Sequence, residues 1–140
     1  MSTKEAQNTI KLKWEEIKTD GDVMAVGKRS SHGCSVFNET LYLFGGEKVA
    51  RTPIDDAALY CLSLKERTEE GKCCWKRVET KTDDVPPPRV AHAQAVVGSV
   101  LYIFGGRQGI TMDESPLSGK LLIILMLCLI LIFSCTCVKY

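Results

Sequence analysis

The sequence predicts an all-β fold of propeller blades, about two of them, followed by a hydrophobic C-terminal helix. Three observations carry this. Two segments match each other at a spacing of 60 residues. Within each, short β-rich runs alternate with turn formers. After Lys120 the chain leaves this pattern for a long apolar run.

The repeat is the strongest signal. Arg29, His32, Leu41, Tyr42, Phe44, Gly45 and Gly46 return as Arg89, His92, Leu101, Tyr102, Phe104, Gly105 and Gly106. Further out, Trp14 answers Trp75 at a spacing of 61. The runs from His32 to Phe37 and from Leu41 to Phe44 read as two strands, joined by Asn38, Glu39 and Thr40. The second copy joins its strands through Gly98 and Ser99, so both are hairpins. Each double glycine closes a second strand and permits positive φ and close backbone approach. Leu59 to Leu64 reads as a third strand, and Trp75 to Glu79 as a fourth with Trp75 and Val78 in the core. Four short antiparallel strands describe a propeller blade.

The boundaries follow: a disordered stretch at 1–9, a repeat region at 10–110, a linker at 111–120 and a membrane-spanning helix candidate at 121–138. The repeats occupy about 29–79 and 89–110, preceded by a lone strand near 13–18. A ring takes roughly four to eight blades. This sequence offers one full blade, a lone early strand and two strands of a next blade. The early strand, which would close a ring on the last blade, is expected to find no third strand there.

Arg-x-x-His, then Leu-Tyr-apolar-Phe-Gly-Gly, then a strand containing Leu59-Tyr60 and a strand containing Trp75, resembles the kelch repeat across roughly residues 10–110. Kelch units run about 50 residues, so the longer spacing implies insertions, placed at Glu47–Asp56 and Lys65–Cys74. Phe44-Gly45-Gly46-Glu47 followed by Pro53-Ile54-Asp55-Asp56 is also similar to the kelch subfamily of plant nitrile-specifier and epithiospecifier proteins. Those are iron-dependent and act on glucosinolate breakdown products. Their iron ligands lie in a later blade, so the resemblance carries no metal ligand and no cofactor to this chain. It implies a protein–protein interaction module with no enzyme activity, its specificity carried by the two insertions. The open blade faces imply self-association or pairing with another kelch chain. Two alternatives stand beside this: a truncated relative of the nitrile-specifier-like proteins lacking its catalytic blades, and a truncated gene product without independent function.

A net charge of +1 gives no field that would draw the chain to nucleic acid. The N-terminus has no apolar h-region, so it does not read as a secretory signal. The seven cysteines are therefore expected to remain thiols. Cys34, Cys61 and Cys128 sit among apolar neighbours as small hydrophobes, and of Cys73 and Cys74 one is expected buried and one exposed.

Leu121 to Val138 is apolar apart from two hydroxyl residues, Ser134 and Thr136. Eighteen helical residues span about 27 Å, close to the roughly 30 Å hydrocarbon core. Leucine dominance favours helix, and Lys120 and Lys139 flank the run. The tail thus reads as a single-pass tail anchor with a cytosolic N-terminal body, the alternative being a cytoplasmic protein. A buried hairpin or core helix is the competing reading, and translated non-coding sequence accounts for the same composition.

His32 and His92 hold one repeat position, which points to a structural role such as bonding between blades. Arg29 and Arg89 also repeat. They read as structural pairing residues, with contact to acidic groups of a partner as the alternative. The glycine pairs end strands rather than open helices, so they are not phosphate cradles. Asp55-Asp56 and Asp83-Asp84 read as solvated turn acids, and Pro86, Pro87 and Pro88 as a stiff approach to the next blade.

Overall fold

The computed structural model describes residues 12–81 and 85–109, together with the backbone of Leu121–Ile124. In chain order the elements are β1 (Thr19–Gly21), α1 (Val23–Val26), β2 (Gly33–Phe37), β3 (Thr40–Phe44), β4 (Glu47–Val49), β5 (Thr52–Pro53), β6 (Leu59–Ser63), β7 (Cys73–Arg77), β8 (Ala93–Val97), β9 (Val100–Phe104) and β10 (Leu121–Ile124). The first sheet, or blade 1, runs β1-β7-β6-β3-β2, the second, or blade 2, runs β10-β9-β8, and β4 and β5 form a separate hairpin inside the expected insertion.

Turn chemistry sets the register of the two repeated hairpins. Phe37 pairs with Thr40 across Asn38 and Glu39. Both turn residues have positive φ, +46° and +57°, the pattern of a type I′ turn. Val97 pairs with Val100 across Gly98 and Ser99. Only Gly98 is positive there, at +60°, which matches type II′ with its glycine first. Both turns follow the right-handed twist of the strands they join.

Strand alternation then divides the apolar side chains between two faces of blade 1. Tyr42, Phe44 and Leu59 meet Leu101 and Ile103 of blade 2, with Phe37, Cys61, Val78 and Val96 at the margin. This is the contact between blades. On the opposite face Leu43, Ala58 and Tyr60 pack under Val26 of α1, flanked by Leu41 and Trp75. Trp75 and Val78, expected in the core, thus serve different faces.

Three expectations about the strands and the tail are corrected. Residues 13–18 form no strand, and Trp14 is 94% exposed. Trp75 is half-buried on β7, whereas no sheet among the described residues covers Trp14. The early strand is instead β1, which runs parallel to β7 from Thr19 opposite Cys73 to Gly21 opposite Trp75, at the outer edge of blade 1. Second, blade 2 does have a third strand, because β10 pairs antiparallel with β9. Third, the helix expected from Leu121 begins as this strand. An unpaired β9 edge would leave a row of backbone donors and acceptors open, and pairing there overrides the helical preference of leucine. The rest of that span, 125–138, lies outside the described residues, as do 1–9 and 111–120. Among the described residues no helix is long and apolar enough to cross a membrane. Cys34 is exposed rather than packed, while Cys73 is buried beside a half-buried Cys74.

Candidate functional site

Both blades present their connecting loops at the end marked by the double glycines. Ser30 and Glu47 exchange backbone hydrogen bonds there, Ser30 N–H to Glu47 O at 3.0 Å and Glu47 N–H to Ser30 O at 2.9 Å. Val90 and Arg107 do the same one repeat later, both at 3.0 Å. Each loop turns through left-handed backbone at matched places: Ser31 and Ala91 at +55° and +54°, Gly45 and Gly105 at +62° and +67°, Gly46 and Gly106 at +97° and +77°.

The repeated arginines hold these loops from beneath. Arg29 donates through Nη1 to Gly45 O at 2.8 Å, and Arg89 donates through Nη1 to Gly105 O at 2.6 Å. Arg29 also donates from Nε to Val26 O at 2.7 Å and from Nη2 to Ala25 O at 3.0 Å. Its charge faces Asp56 at 3.9 Å and lies over the Tyr60 ring, 5.5 Å from the centroid. Tyr60 in turn donates to Asp56 Oδ2 at 3.0 Å. Arg89 is 1% exposed and donates from Nε to Pro87 O at 3.2 Å. Burial lowers the pKa of both guanidinium groups, offset in part at Arg29 by Asp56. A lysine cannot reproduce a forked set of donors. Arg29→Lys is therefore expected to lower stability by about 2 kcal/mol, read as a fall in the denaturant midpoint with the m-value unchanged.

The blades are joined by backbone as well as side chains. Gly46 N–H donates to Arg89 O at 2.9 Å, and Ala91 N–H donates to Ser31 O at 2.9 Å. Gln94 Nε2 donates to Tyr42 O at 3.1 Å. His92 meets Phe44 edge-on with centroids 5.7 Å apart. A Cβ on Gly33 would fall 2.3 Å from His92 Nε2, so the glycine makes room for the imidazole. Burial holds the His92 pKa at about 4, opposed by Gln94 and reinforced more weakly by the nearby Arg89 and His32. His32, at the same repeat position, is exposed. The difference follows from placement, since His92 lies between two blades and His32 has no blade before it among the described residues. Tyr42 is likewise buried in this contact, while Tyr102 is half-buried.

One ion pair crosses the loop face. Glu47 and Arg107 occupy the position that follows the double glycine in each repeat, and they carry opposite charges. Arg107 Nη2 reaches Glu47 Oε2 at 3.2 Å, with the two side chains 16% and 13% exposed. Glu47 also accepts from Ser31 Oγ at 2.9 Å and from Arg51 N–H at 2.5 Å. Ser31 holds the Glu47 carboxyl below its usual range, with support from Arg51 and Arg107. Arg107 Nη1 donates to Arg51 O at 2.9 Å and Gly109 O at 2.8 Å. The β4–β5 hairpin is thereby fastened to blade 2. Opposite charges at one repeat position on adjacent blades are the signal in the sequence that marks Arg107.

Beside this pair lies a shallow open depression lined by Pro53, Asp55, Pro87, Pro88 and Gln108. Three stiff rings supply its apolar walls. Asp55 is exposed, and Gln108 Nε2 is buried without a hydrogen-bond partner. The depression thus joins apolar surface, one acceptor acid and one free amide donor. Among the described residues no group of His, Cys, Asp and Glu is arranged to hold a metal ion.

Comparison with known proteins agrees with this architecture. A KLHDC2/KLHL20/DRC7 Kelch-repeats domain model matches residues 5–122. The chain is 35% identical over 100 residues to an N-(sulfonatooxy)prop-2-enimidothioate sulfolyase of Thlaspi arvense, covering 71% of the chain and 26% of the relative. It is 37% identical over 92 residues to the Rho GTPase-activating protein gacHH of Dictyostelium discoideum, covering 66% and 5%. It is 29% identical over 120 residues to the host cell factor homolog hcf-1 of Caenorhabditis elegans, covering 73% and 14%. The chain therefore spans about a quarter or less of the length of these relatives.

Proposed function

The chain belongs to the kelch-repeat family, and on that premise we propose that it is a protein-binding module whose partner docks on the loop face. Kelch repeats generally mediate protein–protein interaction. The observation that carries the reading is the Glu47–Arg107 pair with its Ser31 and Arg51 contacts. It fastens a hairpin of blade 1 to blade 2 and so holds two loops in one arrangement. Loops ordered before binding lose less conformational freedom on association. The neighbouring depression offers what an interface core uses, apolar walls with a few placed polar groups. Its contents suit a peptide segment that brings an apolar side chain together with a donor for Asp55 and an acceptor for Gln108.

The similarity to a relative named as a sulfolyase favours a second reading, an enzyme of related chemistry. That reading draws its support from the similarity.

Photo-cross-linking separates the loop face from the rest of the surface. A photoreactive residue at Asp55 or Gln108 is expected to give one discrete protein adduct in cells. The same residue at Glu39 or Lys65, at the opposite end of blade 1, gives none. Equal adducts from both ends, or adducts from the opposite end alone, would defeat the proposal.

A further inference from the structure

We infer that the face of blade 2 turned away from blade 1 binds a second copy of this chain, face to face, about a two-fold axis running along β8 and β9. This surface is separate from the loop face, and the inference does not rest on the reading given for that face.

Register defines the surface. Ala93 pairs with Phe104, Ala95 with Tyr102 and Val97 with Val100, and residues directly opposite each other share one side of a sheet. Leu101 and Ile103, between them, turn toward blade 1. The six paired residues therefore form the other side. Ala93, Ala95, Val97 and Phe104 are exposed, while Val100 and Tyr102 are half-buried. Neither strand contains a charged residue. The first repeat shows how such a face is normally placed. Phe44, the equivalent of Phe104, is 1% exposed because it packs on blade 2, whereas Phe104 is 50% exposed. Where the covered face has Ser35 and Thr40, the exposed one has Ala95 and Val100. The face open to water is thus the more apolar of the two, which marks it as a contact surface.

Shape selects the occupant. On this face β8 carries the small Ala93 and Ala95, and β9 carries the large Tyr102 and Phe104 directly beside them. A two-fold axis along the strands sets the rings of one copy over the alanines of the other, so the surface is its own complement. Sheets packed this way interdigitate about 10 Å apart. A charge-free apolar centre is also the composition of a homodimer interface. Head-to-tail stacking would instead place this face on the far side of blade 1. There α1 stands in the way, with Leu43, Ala58 and Tyr60 already buried under Val26 and with Met24 projecting into solvent. Cys34 and Val36 of β2 are exposed beside it. One end of the blade pair is capped and the other is open, which favours a closed pair of copies over a growing stack.

Sedimentation velocity of the full chain across a concentration series tests this, with Ala95→Lys and Phe104→Lys set against Val36→Lys. The parent is expected at twice the mass of one chain, dissociating on dilution. A lysine at 95 or 104 places an unpaired ammonium in the apolar contact, and dimerisation should weaken about 100-fold or more. Val36→Lys, on the far side of blade 1, should associate like the parent. Unchanged exchange of the β3 amides in all forms shows that the variants remain folded. A parent that stays at the mass of one chain overturns the proposal whatever the variants do. So do masses that keep rising with concentration, or a Val36→Lys chain that dissociates as readily as Ala95→Lys, because the copies then stack head to tail.

Discussion

Gly45→Ala is expected to cost about 3–5 kcal/mol, while Gly105→Ala, the same exchange at the same repeat position, costs about 1 kcal/mol. Both glycines hold left-handed backbone, at +62° and +67°, so both substitutions carry a similar conformational penalty. They differ in what a side chain would meet. A Cβ on Gly45 falls 2.4 Å from the carbonyl oxygen of Arg89 and 3.0 Å from His92 Cε1, whereas a Cβ on Gly105 meets nothing within 4 Å. The obstacle at Gly45 is backbone and cannot rotate away. The contact between the blades must open, and with it the bond from Gly46 N–H to Arg89 O. Chemical denaturation of the two variants gives the difference directly. Equal losses would mean that the blades do not meet at this glycine.

The second large effect is acid destabilisation through His92. Its pKa is about 4 in the folded chain against an ordinary 6.5. The fold therefore favours the neutral imidazole, and between those values the unfolded chain binds more protons. Stability is complete above about pH 6.5 and falls as the pH drops toward 4, by roughly 3 kcal/mol in all. Between pH 7 and pH 5 the loss from this residue is about 2 kcal/mol. His92→Gln removes the titration, so its stability should decline less over that interval by the same amount. Urea titrations of both forms at pH 7 and pH 5 measure this. Parallel declines would show that the imidazole is not buried between the blades.

Much of this architecture is legible in the sequence because the repeat is local. The paired hairpins, the third and fourth strands of blade 1 and the arginine and glycine positions all follow from matching one segment to the next. What escapes is whatever depends on which blade lies alongside. His32 and His92 share a motif position but not an environment, since among the described residues only His92 lies between two blades. Trp14 matches Trp75 by spacing, yet no sheet among the described residues covers it and it stays exposed. The tail misleads for a related reason. A continuous apolar run suits a membrane helix and an interior strand equally, and the open edge of β9 decides between them over Leu121–Ile124. On the loop face, Asp55 and the prolines were visible as separate features. Their convergence with Gln108, and the pairing of Glu47 with Arg107, required the two blades to be set side by side.

The proposed binding face depends on two blades locked together at their loop ends, and the exchange rates of the Gly46 and Ala91 amides test that claim most directly. Both lie in loops, and their acceptors, Arg89 O and Ser31 O, belong to the other blade. A docked pair of blades predicts that these amides exchange as slowly as those within β3. Exchange at the rate of an open loop, with β3 still protected, would show two blades that fold side by side without locking, and the loop face would then lose its basis as a single site.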